Sequence, residues 1–431
     1  LLLRSMRGKT WLTLAFAPFV LLSAHAQETD WPHRHAFAKS YYGLGWSAVP
    51  AMADGVLTSP TGTVGFGRSG FFSPAVNIGA THFWGHADFY VSIHTVPLKW
   101  EDDAVTNRIS MGTFTGLRAY PWAVGEGEGL RPFVGYKFSP WRYRQGDVPE
   151  QQVKVTRIKG MVDAGLGWET RHGYFTLEAC KVLRPEFNLH TSRTSGPIAD
   201  RWPGWFVQMG LNFSIETTAT ASNPVNLHLN ETLPNSNRDG FFLAAGPSSA
   251  FPVMSSPGVT EAQPFLDDLS FPTIFPDVAL GWHFTKTDAV LAVSRRSMTQ
   301  RRAAYGIEQT ITRTSHILEA YKFLGDYHGF APYLGLGVST EDIAISESDQ
   351  GVQTGTSTAS PHPVSIVFGW DIRPSEKGDW WVLRTNLRIP PSLTVDHEGK
   401  TLSLQHLEFN FIQLVVYPQR LRRALQWQKN R

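Results

Sequence analysis

Apolar and polar side chains alternate with a period of two in sixteen stretches of the chain, eight in each half, the pattern of strands with two unlike faces. In the first half the stretches begin near Tyr41, Pro74, His86, Arg108, Arg131, Val153, Gly173 and Pro203. In the second they begin near Gly240, Ile274, Asp288, Thr310, Ala331, His362, Asp379 and Ser403. In one, Trp205, Val207, Met209, Leu211, Phe213 and Ile215 share a face, opposed to Phe206, Gln208, Gly210, Asn212 and Ser214.

The halves repeat each other. GLRPFVGYKFSP, from Gly129 to Pro140, returns as GFAPYLGLGVST, from Gly329 to Thr340. Pro74 to Gly79 returns as Pro276 to Gly281, Gly167-Trp168-Glu169 as Gly369-Trp370-Asp371, and Leu183-Arg184 as Leu387-Arg388. The matches are collinear, which points to duplication. Facing is preserved as well. Ile158, Val162, Ala164, Leu166 and Trp168 form one apolar face, and Val364, Ile366, Phe368 and Trp370 form its counterpart.

The links between stretches alternate in length. Long ones run near Ala51 to Ser73, Ala250 to Thr273 and Thr340 to Pro361, and tight ones at Trp84-Gly85, Thr170 to His172 and Thr285 to Thr287. The link around Pro121 to Gly129 is intermediate. Long connections at one end and short turns at the other are a property of outer-membrane barrels. The polar faces carry Asp88, Lys137, Arg157, Lys159, Asp163 and Glu178 in the first copy and Glu319, Arg384 and Arg388 in the second. Both signs of charge can pair inside a closed lumen. Trp168 and Trp370 stand on the apolar faces beside short turns, where an interfacial aromatic girdle belongs.

With these features the chain resembles the small eight-stranded outer-membrane β-barrel proteins of bacteria, present twice. The fold expected is all-β: two tandem eight-stranded antiparallel up-and-down barrels, with a single sixteen-stranded barrel as the alternative. Eight strands leave a lumen filled by side chains and sixteen an aqueous channel. The long link Thr217 to Asp239 favours two barrels, because a single ring would need a short turn there. The resemblance implies a last strand ending on an aromatic residue read by the barrel assembly machinery. Here Tyr417 is followed by Pro418 and a basic tail through Arg431, so the assembly signal would be internal.

The start of the chain bears on location. Basic Met6 to Lys9, an apolar core from Leu12 to Leu22, and Ala24-His25-Ala26 form a signal peptide over 1–26, with translation starting at Met6. A short segment 27–39, barrel repeats over 40–216 and 240–418, a polar linker 217–239 and a basic tail 419–431 complete the division. The expected location is the outer membrane of a Gram-negative cell, with outer-membrane lipid as surroundings. A net charge of +2 gives no nucleic-acid footprint, and the lone Cys180 allows no intramolecular disulfide.

Candidate chemistry is sparse. His94 with Ser92, His316 with Ser315, and His406 are the histidines to weigh, but none lies in a G-x-S-x-G or H-E-x-x-H frame. Asp102-Asp103 and Asp342 with Glu347 and Asp349 lack the spacing of a calcium loop. Gly65 to Arg68 and Gly125 to Gly129 lack a phosphate-loop setting. No catalytic, cofactor-binding or metal residue is assigned. The expectation is a non-enzymatic protein presenting long surface loops to an unknown ligand. The alternatives are a solute pore, a lipid-modifying enzyme and a soluble periplasmic protein.

Overall fold

The computed structural model describes residues 39–430 apart from 60–61, 96, 100–105, 126, 147–152, 171–172, 216–239, 253–262, 267–272, 285, 328, 374–379 and 391–392. The expected signal segment, the linker 217–239 and Asp102-Asp103 lie outside the described residues. In the first half the barrel strands are β1 (Lys39–Val49), β2 (Phe71–His82), β3 (Ala87–His94), β4 (Phe114–Ala119), β5 (Gly129–Gln145), β6 (Val153–Glu169), β7 (Tyr174–Val182) and β8 (Trp205–Ile215). Each pairs antiparallel with the next, and β8 returns to β1. In the second half they are β9 (Gly240–Pro252), β10 (Thr273–Phe284), β11 (Ala289–Ala304), β12 (Ile307–Phe323), β13 (Phe330–Asp349), β14 (Val364–Ile372), β15 (Trp381–Ile389) and β16 (His406–Val416). They close in the same way, β16 onto β9. Both sheets are complete eight-stranded up-and-down barrels, so the sixteen-stranded ring does not form.

The fourth stretch, expected to begin near Arg108, is split in two. Asn107–Met111 pairs with the upper part of β5, and the chain steps inward before β4 begins at Phe114. Pro140 causes the step: it has no N–H to give to the ladder. Instead its carbonyl accepts the Gly112 amide at 2.7 Å.

Outward faces are apolar over a band and polar above it. On β10 the outward residues Ile274, Pro276, Val278, Leu280, Trp282 and Phe284 are all exposed. At ordinary rise and tilt they cover about 24 Å of height, the thickness of an outer-membrane apolar band. On β13 the band is Leu334, Leu336 and Val338; Thr340, Asp342, Ala344 and Ser346 continue the same exposed face upward. The inward face of β13 changes in the opposite sense. Ser339 and Glu341 give way to Ile343 and Ile345, which are buried. The apolar residues change sides where the strand leaves the membrane. Below that level the barrel is oily outside; above it, it is a water-soluble barrel with a dry interior.

This inversion corrects one expectation. Thr340 to Pro361, expected as a long loop, is a hairpin of β13 and Val352–Ala359. It closes through Gln350 (φ 49°) and Gly351 (φ 80°), the left-handed pair of a type I′ turn. The loop from Ala51 to Ser73 likewise holds a hairpin, Met52–Ser59 with Gly62–Arg68. The basic tail is a helix, α1 (Pro418–Lys429), with Pro418 in its first turn and Arg420 and Ala424 buried.

The two barrels touch at both ends. At the short-turn end, His82 and Phe89 of the first meet Trp370 of the second, and His82 and Phe83 meet Phe330. Higher up, Phe138 packs edge-on against Phe251. At the far tips Arg193 donates to Asp349 at 2.8 Å and to the Tyr305 carbonyl, while the Tyr305 hydroxyl donates to the His190 carbonyl at 2.6 Å. Trp168 fits an aromatic girdle, being outward, exposed and next to a short turn. Trp370 is outward too but spends its face on the neighbouring barrel.

Candidate functional site: sealed lumens and an extracellular rim

Each lumen is filled in layers, with an apolar floor and roof around buried charges. The floor of the first barrel is Tyr120, Phe133 and Tyr174. Above it Arg118 bridges Asp88 at 3.0 Å and Glu178 at 3.1 Å, and lies over the Tyr90 ring at 4.0 Å. Lys137 donates to Glu178 and, at 2.8 Å, to Gln208, with Asp163 at 3.9 Å. The roof is apolar: Trp141, Tyr143, Val153, Val155 and Phe206 from the strands, closed by Phe187 and Leu189 of the hairpin Glu186–Leu189 with Ile198–Arg201. Arg68, in the hairpin Met52–Ser59 with Gly62–Arg68, clamps that second hairpin through Asp200 at 2.7 Å.

The second barrel repeats the scheme with different residues. Its floor holds Phe242, Tyr321, Phe323, Tyr333 and Tyr417, with Tyr321 and Tyr333 stacked at 4.3 Å. The Arg420 side chain of α1 lies under Tyr417, 4.2 Å from the ring. In the middle, Arg388 joins Asp277 at 2.7 Å to Glu319, and Arg384 holds Asp371 through two bonds of 2.7 and 2.9 Å. A second polar layer follows: Arg313 to Glu341 at 2.6 Å, His406 to Glu408 at 2.7 Å, and Arg296 to Glu408. The roof is Ile307, Ile311, Ile343 and Ile345, covered by Val395 and Leu402 of the hairpin Thr394–His397 with Lys400–Ser403, and by Phe265 and Leu266.

Charges taken out of water are costly unless paired, and here most of them meet an opposite charge, on a neighbouring strand or across the lumen. An oily exterior with ionic contents is the arrangement a lipid solvent selects. The architecture is that of a β-barrel built to sit in a membrane. No helix among the described residues is long and apolar enough to cross a membrane.

No family model matches the sequence, and no curated protein does. Solved structures with a similar fold include Neisserial surface protein A, at 15% identity over 41% of this chain and 96% of that one, TM-score 0.31. An outer-membrane channel from Pseudomonas putida F1 is similar at 8% identity over 88% of this chain and 95% of that one, TM-score 0.22. An anion-selective porin from Comamonas acidovorans is similar at 10% identity over 88% of this chain and 99% of that one, TM-score 0.16.

His94, His316 and His406 do not come together: they lie in different barrels or on opposite faces. His94 faces inward near the roof of the first barrel, its Nδ1 at 3.0 Å from the Ser73 hydroxyl and its ring 4.3 Å from Phe114. Ser92 is buried on the same face. His316 and Ser315 point to opposite sides: Ser315 inward onto Glu341, His316 outward and exposed. His406 sits between Arg313 and Glu408. The recess beside it, about 20 Å³ between Met298, Ile311, Arg313 and Leu404, has room for about one water molecule. Asp342 is outward, Glu347 is inward on Gln309 and Gln263, and Asp349 is held by Arg193. Among the described residues no three His, Cys, Asp or Glu side chains converge as a metal site would require.

Sequence reasoning missed the roofs and the contact between barrels. The roofs had a signal: on β13 the apolar positions move from Leu334, Leu336 and Val338 to Ile343 and Ile345, a change from even to odd within one strand.

Proposed function

We propose that this chain is a non-enzymatic outer-membrane protein whose paired barrels are a rigid mount for a folded extracellular rim that binds a surface ligand or adhesion partner. The observation that carries this reading is the filling of both lumens, floor to roof, by paired charges and apolar side chains. The rim is built from three hairpins and the upper halves of β11 to β13, a shaped surface on which binding residues can be held still. Residues 1–26 would be removed on export, and the assembly machinery would read an internal strand, since α1 follows β16.

Purified full-length protein in planar bilayers tests the reading. It should give no stable single-channel steps; regular steps of fixed conductance would return the chain to the class of pores. Turnover of lipid or peptide that His406→Ala abolishes, in a protein that still folds, would return it to the enzymes.

A further inference from the structure

The outward face of β11, β12 and β13 is layered. Successive rows across the three strands, about 7 Å apart along each strand, follow from the register. The lowest is Val293, Leu318 and Val338; the next is Arg295, His316 and Thr340; above come Ser297, Thr314 and Asp342, then Thr299, Thr312 and Ala344. All twelve look away from the lumen; all are exposed except Thr314, which is half-buried. Arg295 and His316 are directly opposed, and neither makes a hydrogen bond or ion pair with any described residue. Of the acids on this face, Asp342 stands a row higher and accepts from Ser360 at 3.5 Å, and Glu308 stands near the strand tip. The Ser297 and Thr314 hydroxyls meet at 3.4 Å, leaving lone pairs and protons for a third partner.

From the lipid upward the face therefore offers apolar contact, then cationic and imidazole nitrogens, then hydroxyls. We propose that it binds a phosphorylated glycolipid of the outer leaflet, with acyl chains against Val293, Leu318 and Val338, a phosphate on Arg295 and His316, and sugar on the Ser and Thr hydroxyls. A guanidinium beside a second nitrogen donor is suited to a phosphate, which offers several acceptor oxygens. A membrane-embedded lipid fits better than free phosphate, because Arg295 and His316 sit at the edge of the apolar band. The inference rests on the outer-membrane reading. That reading has its own check, in membrane fractionation and heat-modifiable gel migration, so the two can fail separately.

The test is native mass spectrometry of the full chain in discs of zwitterionic phospholipid. Discs are doped with a bisphosphorylated glycolipid, with the same glycolipid dephosphorylated, or supplied with inorganic phosphate alone. Wild type should retain the phosphorylated glycolipid selectively, and Arg295→Gln/His316→Gln should lower its apparent affinity by roughly fivefold or more. Arg301→Gln, at the strand tip above the hydroxyl rows, should bind as wild type. Equal retention of the dephosphorylated lipid, an unaltered double variant, or full competition by millimolar inorganic phosphate would each overturn the proposal. If the double variant does not reach the heat-modifiable folded form, the comparison of the two glycolipids on wild type still decides.

Discussion

Tyr333 lies across Gly369, its directly opposed neighbour on the next strand, so closely that a Cβ on the glycine would stand 2.5 Å from the phenol oxygen and 2.4 Å from the Thr385 carbonyl. The first barrel keeps the same relationship: Phe133 lies across Gly165, where a Cβ would meet the ring at 2.7 Å and the Leu177 carbonyl at 2.4 Å. An aromatic ring covering a cross-strand glycine lets a narrow barrel curve while keeping its interior full. Because a backbone carbonyl blocks the added methyl, Gly369→Ala and Gly165→Ala should each destabilise by about 1–3 kcal/mol. The readout is the temperature at which the compact gel form converts to the unfolded one. Gly351→Ala has only open space to fill but a φ of 80°, so it should act through backbone strain alone and cost less.

Arg388 is the shared partner of two buried acids, Asp277 and Glu319. Arg388→Met removes the cation and leaves both carboxylates in a closed space. The expected loss is on the order of 3–5 kcal/mol, read by urea unfolding in detergent through tryptophan emission. Neutralising all three together, as Asp277→Asn/Glu319→Gln/Arg388→Met, should recover much of that loss, because no charge is then left alone. A triple variant as unstable as the single one would mean that shape rather than charge sets the cost.

The contact between extracellular tips should respond to acid. The hydrogen bond from Arg193 holds the Asp349 carboxyl below its ordinary range. A carboxylate depressed in the folded state contributes stability above its unfolded pKa, and that contribution is lost as pH falls through the folded value. The link should therefore persist at neutral pH and open only below the ordinary aspartate range of about 4. Spin labels at the exposed positions Arg201 and Glu308 would report the spacing of the two tips. At pH 7, Asp349→Asn should already show the broadened distance distribution that wild type shows only in acid.

Much of the fold was readable because lipid enforces one rule on every strand. Trp168, Leu211 and Phe368 on one side and Asp163, Glu178 and Arg388 on the other follow from alternation alone. The closure of each barrel was legible as well, from the long link between the copies. What alternation could not convey was the partner of each charge. Arg118 meets Asp88, its opposed neighbour on the next strand, but also Glu178, 60 residues on and across the lumen, a pairing that alternation does not give. The role of Trp370 was hidden for a related reason. An outward tryptophan reads alike whether it meets lipid or, as here, His82 and Phe89 of the other barrel.

The inversion of faces along β13 makes position on one strand decisive. Leu336 and Ala344 share the outward face and are both exposed, eight residues apart. Leu336 belongs to the apolar band, whereas Ala344 stands among Asp342 and Ser346 above it. Arginine in the band of a membrane barrel costs about 2–4 kcal/mol, depending on depth. Leu336→Arg should therefore lower stability by about that amount in phospholipid vesicles, with Ala344→Arg within about 0.5 kcal/mol of wild type, as for an ordinary surface change. Inward substitutions should rank the other way at the upper level: Ile345→Arg buries a charge in the dry roof and should be worse than Ala344→Arg, although the two residues are adjacent. Urea titration of vesicle-embedded protein, followed by tryptophan emission and gel mobility, measures all three. Equal costs for Leu336→Arg and Ala344→Arg would place the upper half of β13 in lipid too, and the account of a water-soluble extracellular half would then be wrong.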